Sequence, residues 1–468
     1  MTRKTAITVE ALAVLGARKL ADLVLAEARD NAAFRKRANA ALAGVQGGDA
    51  VAALIDRRLA ALEKARSPVD WRKEREFAAD LKATVETIAG ELRALDSSLA
   101  LQRLVRFLGS HAQVFERVDD SNGRLQDVYW QAAGRVPEMM RQMPPDGLAR
   151  VPAWLMAALT KDTHGLVVQA AVEAVGLLPE EIVARWDIDL SGDKEPSDGK
   201  LAIRQAIAEA RGDLDGYIAL ELRRPEWRRD PLRVAEKLLA ARRLDEALDW
   251  ARRENQGGVA FVSAADFADG RITRPDEYRQ VALEARILET KNDRPAAQML
   301  RWSAFEKTLH AGTLRDYIGK LDDFQEFDEL DRAFAVADGF PQPYVALAFF
   351  IEWPRLDRAA KLVLDKRTQW DGRHYGVLAE AAASLEADHL VAATVLYRAL
   401  LNDILVRAKS PAYGHGARYL ANLSGLAEKI SDAQGVENHA TYLAALQKSH
   451  GRKYGFWTLV EVAGQKRS

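Results

Sequence analysis

The chain contains no cysteine. Disulfides, thiolate zinc sites, iron–sulfur clusters and cysteine nucleophiles are therefore excluded. Aromatic residues are scarce at 7%, and charge of one sign is lacking: 67 Lys and Arg face 68 Asp and Glu, leaving a net −1. Nucleic-acid binders usually carry a basic excess, so binding of that kind here would need a local patch. Long apolar runs are missing as well. No window approaches the roughly 20 apolar residues of a membrane-spanning helix. The first apolar stretch is broken by Glu10, Arg18, Lys19 and Asp22, unlike the core of a signal peptide. These absences set the expectation of a cytoplasmic chain with no membrane partner. Nucleotide and hydrolase signatures are also absent, namely Gly-x-x-x-x-Gly-Lys-Ser/Thr, Gly-x-Gly-x-x-Gly after a strand, and Gly-x-Ser-x-Gly.

What is present favours helix. Hydrophobic residues make up 48% and charged residues 29% of 468 positions, a composition that folds. At roughly 100–200 residues per domain, this length suggests two to four structural units. Ala and Leu, which carry the lowest helix costs, are abundant, and alternating Val/Ile/Thr runs are few. The spacing of Leu12, Gly16, Leu20, Leu23 and Val24 predicts one amphipathic helix over 8–29, capped by Thr8. Further helices are expected at 31–45, 49–66, 71–95, 99–117, 122–141, 147–161, 165–177 and 179–186. Ser67 and Pro68 read as the start of the helix entering 71–95, and Pro137 should kink or end its own. Residues 187–199 are rich in turn formers and read as a linker between an N-terminal helical domain, 1–186, and a C-terminal one, 200–468. The Val259–Val262 run within irregular 256–274 reads as a short strand or packed loop.

The second half repeats one pattern: an apolar helix, a short polar turn, and a second helix opening with Ala. Taking Ala247, Ala296, Ala359 and Ala393 as equivalent gives separations of 49, 63 and 34 residues, the last being the TPR period. Small side chains let two helices approach closely, and such hairpins bury their apolar faces only by stacking. The expected fold is all-α: a right-handed superhelix of antiparallel helix hairpins, a TPR-like α-solenoid, behind an N-terminal helical bundle. An irregular helical bundle would use Ala-rich hairpins too.

Three segments carry a family resemblance: Arg301–Glu306; Ala346–Phe350 with Glu352–Val363; and Leu396–Leu401 with Lys409–Leu420. They resemble an uncharacterised bacterial all-α family, a domain of unknown function whose helical regions also occur behind SWIM-type zinc fingers. The resemblance implies helical repeats and no known activity. Without cysteine this chain lacks the zinc site of those relatives.

Several constellations invite a chemical reading. Asp187, Asp189, Ser191, Gly192 and Asp198 fall at positions 1, 3, 5, 6 and 12 of a calcium loop, but Lys194 replaces the usual apolar residue at position 8 and Asp198 the usual Glu. A solvated linker competes with that reading. The eight histidines show no tight metal spacing. His415 and Arg418 sit one helical turn apart near Tyr413 and Tyr419, either as an anion-binding pair or as the packed start of a long helix. Asp322, Asp323, Glu326, Asp328, Glu329 and Asp331 read as a solvated acidic face, and the arginines of 223–253 interleave with acids as ion pairs. The tail is more one-sided: Lys448, Arg452, Lys453, Lys466 and Arg467 against Glu461 gives 5 − 1 = +4 beside Tyr454, Phe456 and Trp457. It reads as a nucleic-acid contact or as an aromatic cap on the repeat array. The sequence thus points to no catalytic residue, metal or cofactor. It points to a non-enzymatic scaffold binding a protein or peptide, with Tyr344, Phe349, Tyr375, Tyr413, His415 and Arg418 as candidate contacts. The alternative is association with nucleic acid through Arg452, Lys453, Tyr454 and Trp457.

Overall fold

The computed structural model describes residues 8–253, 277–322, 324–431 and 435–465. Among the described residues every regular element is a helix, and none is long and apolar enough to cross a membrane. The Val259–Val262 run lies outside the described residues. The chain divides into two compact units, Met1–Glu226 and Trp227–Ser468.

In the first unit helix Ser97–Leu108 is central, packing against helices Gly48–Lys64, Arg124–Met140 and Val151–Leu159. It buries Leu101, Leu104, Phe107 and Leu108. Phe107 stacks on Tyr129 with ring centroids 4.6 Å apart, and the Tyr129 hydroxyl bonds Ser110 at 2.8 Å, so the buried phenol is satisfied. Two helix starts use one device 42 residues apart, 162 − 120. Asp120 accepts from the backbone N–H groups of Leu125 and Gln126, and Asp162 from those of Val167 and Val168. The intervening Gly123 and Gly165 take φ of +74° and +76°, a region that favours glycine. Each carboxylate thereby satisfies two N–H groups at a helix start.

Three expectations change here, and that for the Pro137 helix does not. The segment 8–29 is two helices, Val9–Ala13 and Gly16–Asp30, broken where Gly16 takes φ +79°, with Thr8 capping the first. Residues 67–70 stay out of the helix, and Asp70 rather than Ser67 caps the turn at Trp71 by accepting from the Arg72 N–H. The helix that contains Pro137 keeps close to its expected span, Arg124–Met140, and ends three residues past the proline. The expected linker begins inside a helix: Asp187–Ser191 form the last turns of Glu180–Ser191, and the next helix starts at Asp198. Val183, Trp186 and Leu190 are buried at helical spacing, so the apolar face continues beneath the acids that disguise it.

In the second unit helices pack in consecutive pairs: Pro231–Ala240 with Leu244–Ala251, Glu277–Thr290 with Arg294–Thr308, Pro343–Glu352 with Leu356–Asp365, and Tyr375–Leu385 with Leu390–Val406. Three of the connecting turns share a backbone bond across six residues, from the N–H of Arg243 to Leu238, of Asp293 to Leu288 and of Arg355 to Phe350. This is the Schellman closure of a helix C-terminus. The same bond joins Asp213 to Ala208 between helices Asp198–Ala210 and Leu214–Leu222 of the first unit. Gly212, Arg242 and Asn292 before it are left-handed. Four residues after the turn in the second unit comes a fully buried alanine, Ala247, Ala297 or Ala359, whose N–H returns to the turn residue's carbonyl. Ala393 bonds His389 in the same way. The equivalent position is therefore Ala297, not Ala296, and the separations become 50, 62 and 34.

Candidate functional site

The candidates of the expected concave face separate. Phe349 is a core residue, packed among Phe305, Phe334, Phe350 and Trp353 with centroids 5.5–6.4 Å away, so it offers no side chain to a partner. Tyr344 is half-buried and holds a turn: its hydroxyl donates to the Gln369 carbonyl at 3.3 Å and accepts from the Asp371 N–H at 2.8 Å, while its ring lies 3.9 Å from that of His374. Tyr375, 68% exposed, opens helix Tyr375–Leu385 and is the one of the three facing solvent.

The structure brings two other groups together. Helix Tyr413–Ala427 packs against helix Tyr454–Gln465. Phe456 is fully buried between them, 5.9 Å from the Tyr413 ring and close above Gly416, where a Cβ would lie 3.2 Å from the Phe456 ring. Trp457 donates from Nε1 to the His450 carbonyl at 3.0 Å. Phe456 and Trp457 are thus occupied in packing. Outside the seam His415 and Arg418 are exposed and joined, Arg418 Nη2 lying 2.9 Å from His415 Nδ1. Arg452 is exposed and Tyr454 is 78% exposed, with Lys453 half-buried beside them. The 413–418 segment and the tail, separate in sequence, belong to one packed end of this unit.

The metal readings dissolve into ion pairs. Asp187 receives Arg204 Nε at 3.0 Å and Arg211 Nη1 at 3.2 Å, and neighbouring Asp193 receives Lys200 at 2.7 Å; Asp187, Asp189 and Ser191 lie in a helix instead of a loop. Among the described residues no group of His, Asp or Glu forms a metal-sized cluster. Two concavities escaped the sequence. A cleft of about 370 Å³ in the first unit is lined by Asp56, Glu63, Arg103, Arg106 and Trp154. Its arginines are already neutralised: Arg106 grips Glu63 with two bonds of 2.8 Å and Arg103 reaches Asp56 at 2.8 Å. A cavity of about 320 Å³ in the second unit is lined by residues including Arg398 and His439. These lie 41 positions apart (439 − 398) on different helices, and no local motif announces them.

A family model described as "Family of unknown function (DUF6880)" matches residues 2–201 and 197–459. The chain belongs to this family. No functionally curated protein matches it.

Proposed function

We propose that the protein is a non-enzymatic helical-repeat scaffold, a TPR-like superhelix of hairpins in its second unit, that binds a protein or peptide partner. The observation that supports this reading is the recurrence of one hairpin turn. The same six-residue backbone bond, followed four residues later by a buried alanine, closes three of the four pairs. Repeated hairpins generate extended surfaces, and binding is the use such surfaces most often serve. The packed end carrying His415, Arg418, Arg452 and Tyr454 is the proposed contact, because it exposes two arginines and an aromatic ring on helix Tyr413–Ala427 and at the start of helix Tyr454–Gln465, which pack together. Aromatic and arginine side chains are the usual anchors of interfaces.

The test is affinity capture from native cytosol of the whole chain and of an Arg418→Ser/Tyr454→Ser variant, each with and without nuclease. A discrete protein partner that survives nuclease and is lost with the variant supports the reading. Recovery of nucleic acid with nuclease-sensitive proteins replaces it with the second reading. That reading is favoured by Arg452 and Lys453 lying beside exposed Tyr454. It expects salt-sensitive binding of a single-stranded oligonucleotide, lost in Arg452→Glu/Lys453→Glu.

A further inference from the structure

The cavity of about 320 Å³ lies between helices Leu390–Val406 and Tyr413–Ala427 and the start of His439–His450. Its volume falls at the lower end of the roughly 300–1,000 Å³ typical of small-molecule sites. Val391, Leu423, Ile430 and Val436 supply apolar wall. The polar lining is unusual in what it leaves unmade. Arg398 is half-buried, yet among the described residues it forms no hydrogen bond or ion pair. The Tyr442 ring lies 4.3 Å from the guanidinium, and the Arg398 Nε is buried with no partner. Arg58, Arg103 and Arg301 share the orphaned Nε but pair through a terminal nitrogen, with Asp80, Asp56 and Glu289. A guanidinium stays charged in proteins, and a buried charge without a counter-ion is costly, so an unpaired one in a cavity asks for an anion.

His439 asks for the opposite. Its Nε2 lies 3.2 Å from the Ser424 hydroxyl, whose own hydrogen goes to the Leu420 carbonyl at 3.1 Å. Nε2 must therefore be the donor. The neutral ring then presents Nδ1 as an acceptor, and Nδ1 is buried without a partner. Burial first, and the Arg398 charge second, hold this imidazole below its ordinary range. Glu437 lines the same cavity and is near enough to Arg398 to act on it electrostatically. One cation, one carboxylate and one bare nitrogen acceptor thus share a small cavity with apolar walls.

We propose that this cavity binds a free apolar α-amino acid. The ligand's carboxylate takes Arg398, its α-ammonium takes His439 Nδ1 and Glu437, and its hydrocarbon side chain lies against Val391, Leu423, Ile430 and Val436. A plain carboxylate leaves the acceptors unmet and a plain amine leaves Arg398 unmet, so the zwitterion is the species that satisfies every group. Calorimetric titration of the full chain with L-leucine, 4-methylpentanoate and 3-methylbutylamine tests this. Leucine is expected to bind, and each analogue to bind about tenfold more weakly or worse, because each forfeits a charge-assisted bond. Arg398→Gln should abolish binding. Glu437→Gln alters an exposed residue and leaves the fold intact by circular dichroism. It should weaken leucine about tenfold while leaving 4-methylpentanoate unchanged or tighter. No leucine binding up to about 10 mM, a ceiling near 2.7 kcal/mol, overturns the proposal. So does an affinity for 4-methylpentanoate equal to that for leucine.

Discussion

His111 is fully buried in the first unit with both ring nitrogens engaged. Nδ1 donates to the Leu108 carbonyl at 2.7 Å, so Nε2 accepts from the Thr163 N–H at 3.1 Å and the ring is neutral. Burial holds it below its ordinary value of 6.5, a shift that the nearby Asp162 only partly opposes. The unfolded chain therefore binds a proton that the folded chain resists once the pH falls below 6.5, and stability declines from there toward the folded value. Urea midpoints measured from about pH 7.5 to 5 should fall with acid in the native chain. They should fall less steeply in His111→Gln, which starts about 1–3 kcal/mol lower wherever it leaves the Thr163 N–H unmet. Two glycines make a contrast at the same scale. A Cβ on Gly372 would overlap the Ala399 carbonyl oxygen, so Gly372→Ala should cost about 1–3 kcal/mol. Gly134 is exposed inside helix Arg124–Met140 with nothing near its Cβ position, so Gly134→Ala should gain about 0.5–1 kcal/mol in the same denaturation assay.

Among the elements, helix existence was legible and helix ends were less so. Thr8 announced its cap because a Thr before an apolar-periodic run has one strong use, and Asn31 and Asp96 act in the same way. The acids around Leu190 concealed a helix end, because local turn propensity was read where burial of Trp186 and Leu190 decides. The hairpin alanines are visible in the sequence, but adjacent Ala296 and Ala297 cannot be told apart there. The backbone bond from Asp293 to Leu288 sets the register that makes Ala297 the contact. This register is testable. Ala297→Leu pushes extra volume into a closed hairpin seam and should cost about 1–3 kcal/mol, whereas Ala296→Leu, only partly buried, should lie within about 0.5 kcal/mol of the native chain by urea unfolding. Equal effects at both positions would overturn the assigned register.

At the scale of the whole molecule, composition identified an all-helical chain, yet the candidate site was only partly legible. Residues near in sequence, such as His415 and Arg418, could be paired from helical spacing. Phe349 could not be removed from the list, because whether an aromatic faces a core or a partner depends on helices far along the chain, Phe305 and Phe334 among them. Arg398 and His439 meet only through tertiary packing. Among the described residues, one buried cluster of the first unit runs from Ala43 to Ile207 around Phe107 and Tyr129, and one of the second unit from Trp302 to Phe456 around Phe350 and Leu396. Among the described residues, no buried apolar residue belongs to both clusters. Emptying one core should therefore leave the other's local stability in place. Phe107→Ala deletes a fully buried ring and should cost about 3–5 kcal/mol. Because amide exchange reports each cooperative region separately, exchange should accelerate over 97–140 and stay unchanged over 343–405. Phe350→Ala should reverse the pattern. Acceleration across both regions in either variant would mean that the two cores unfold as one cooperative body.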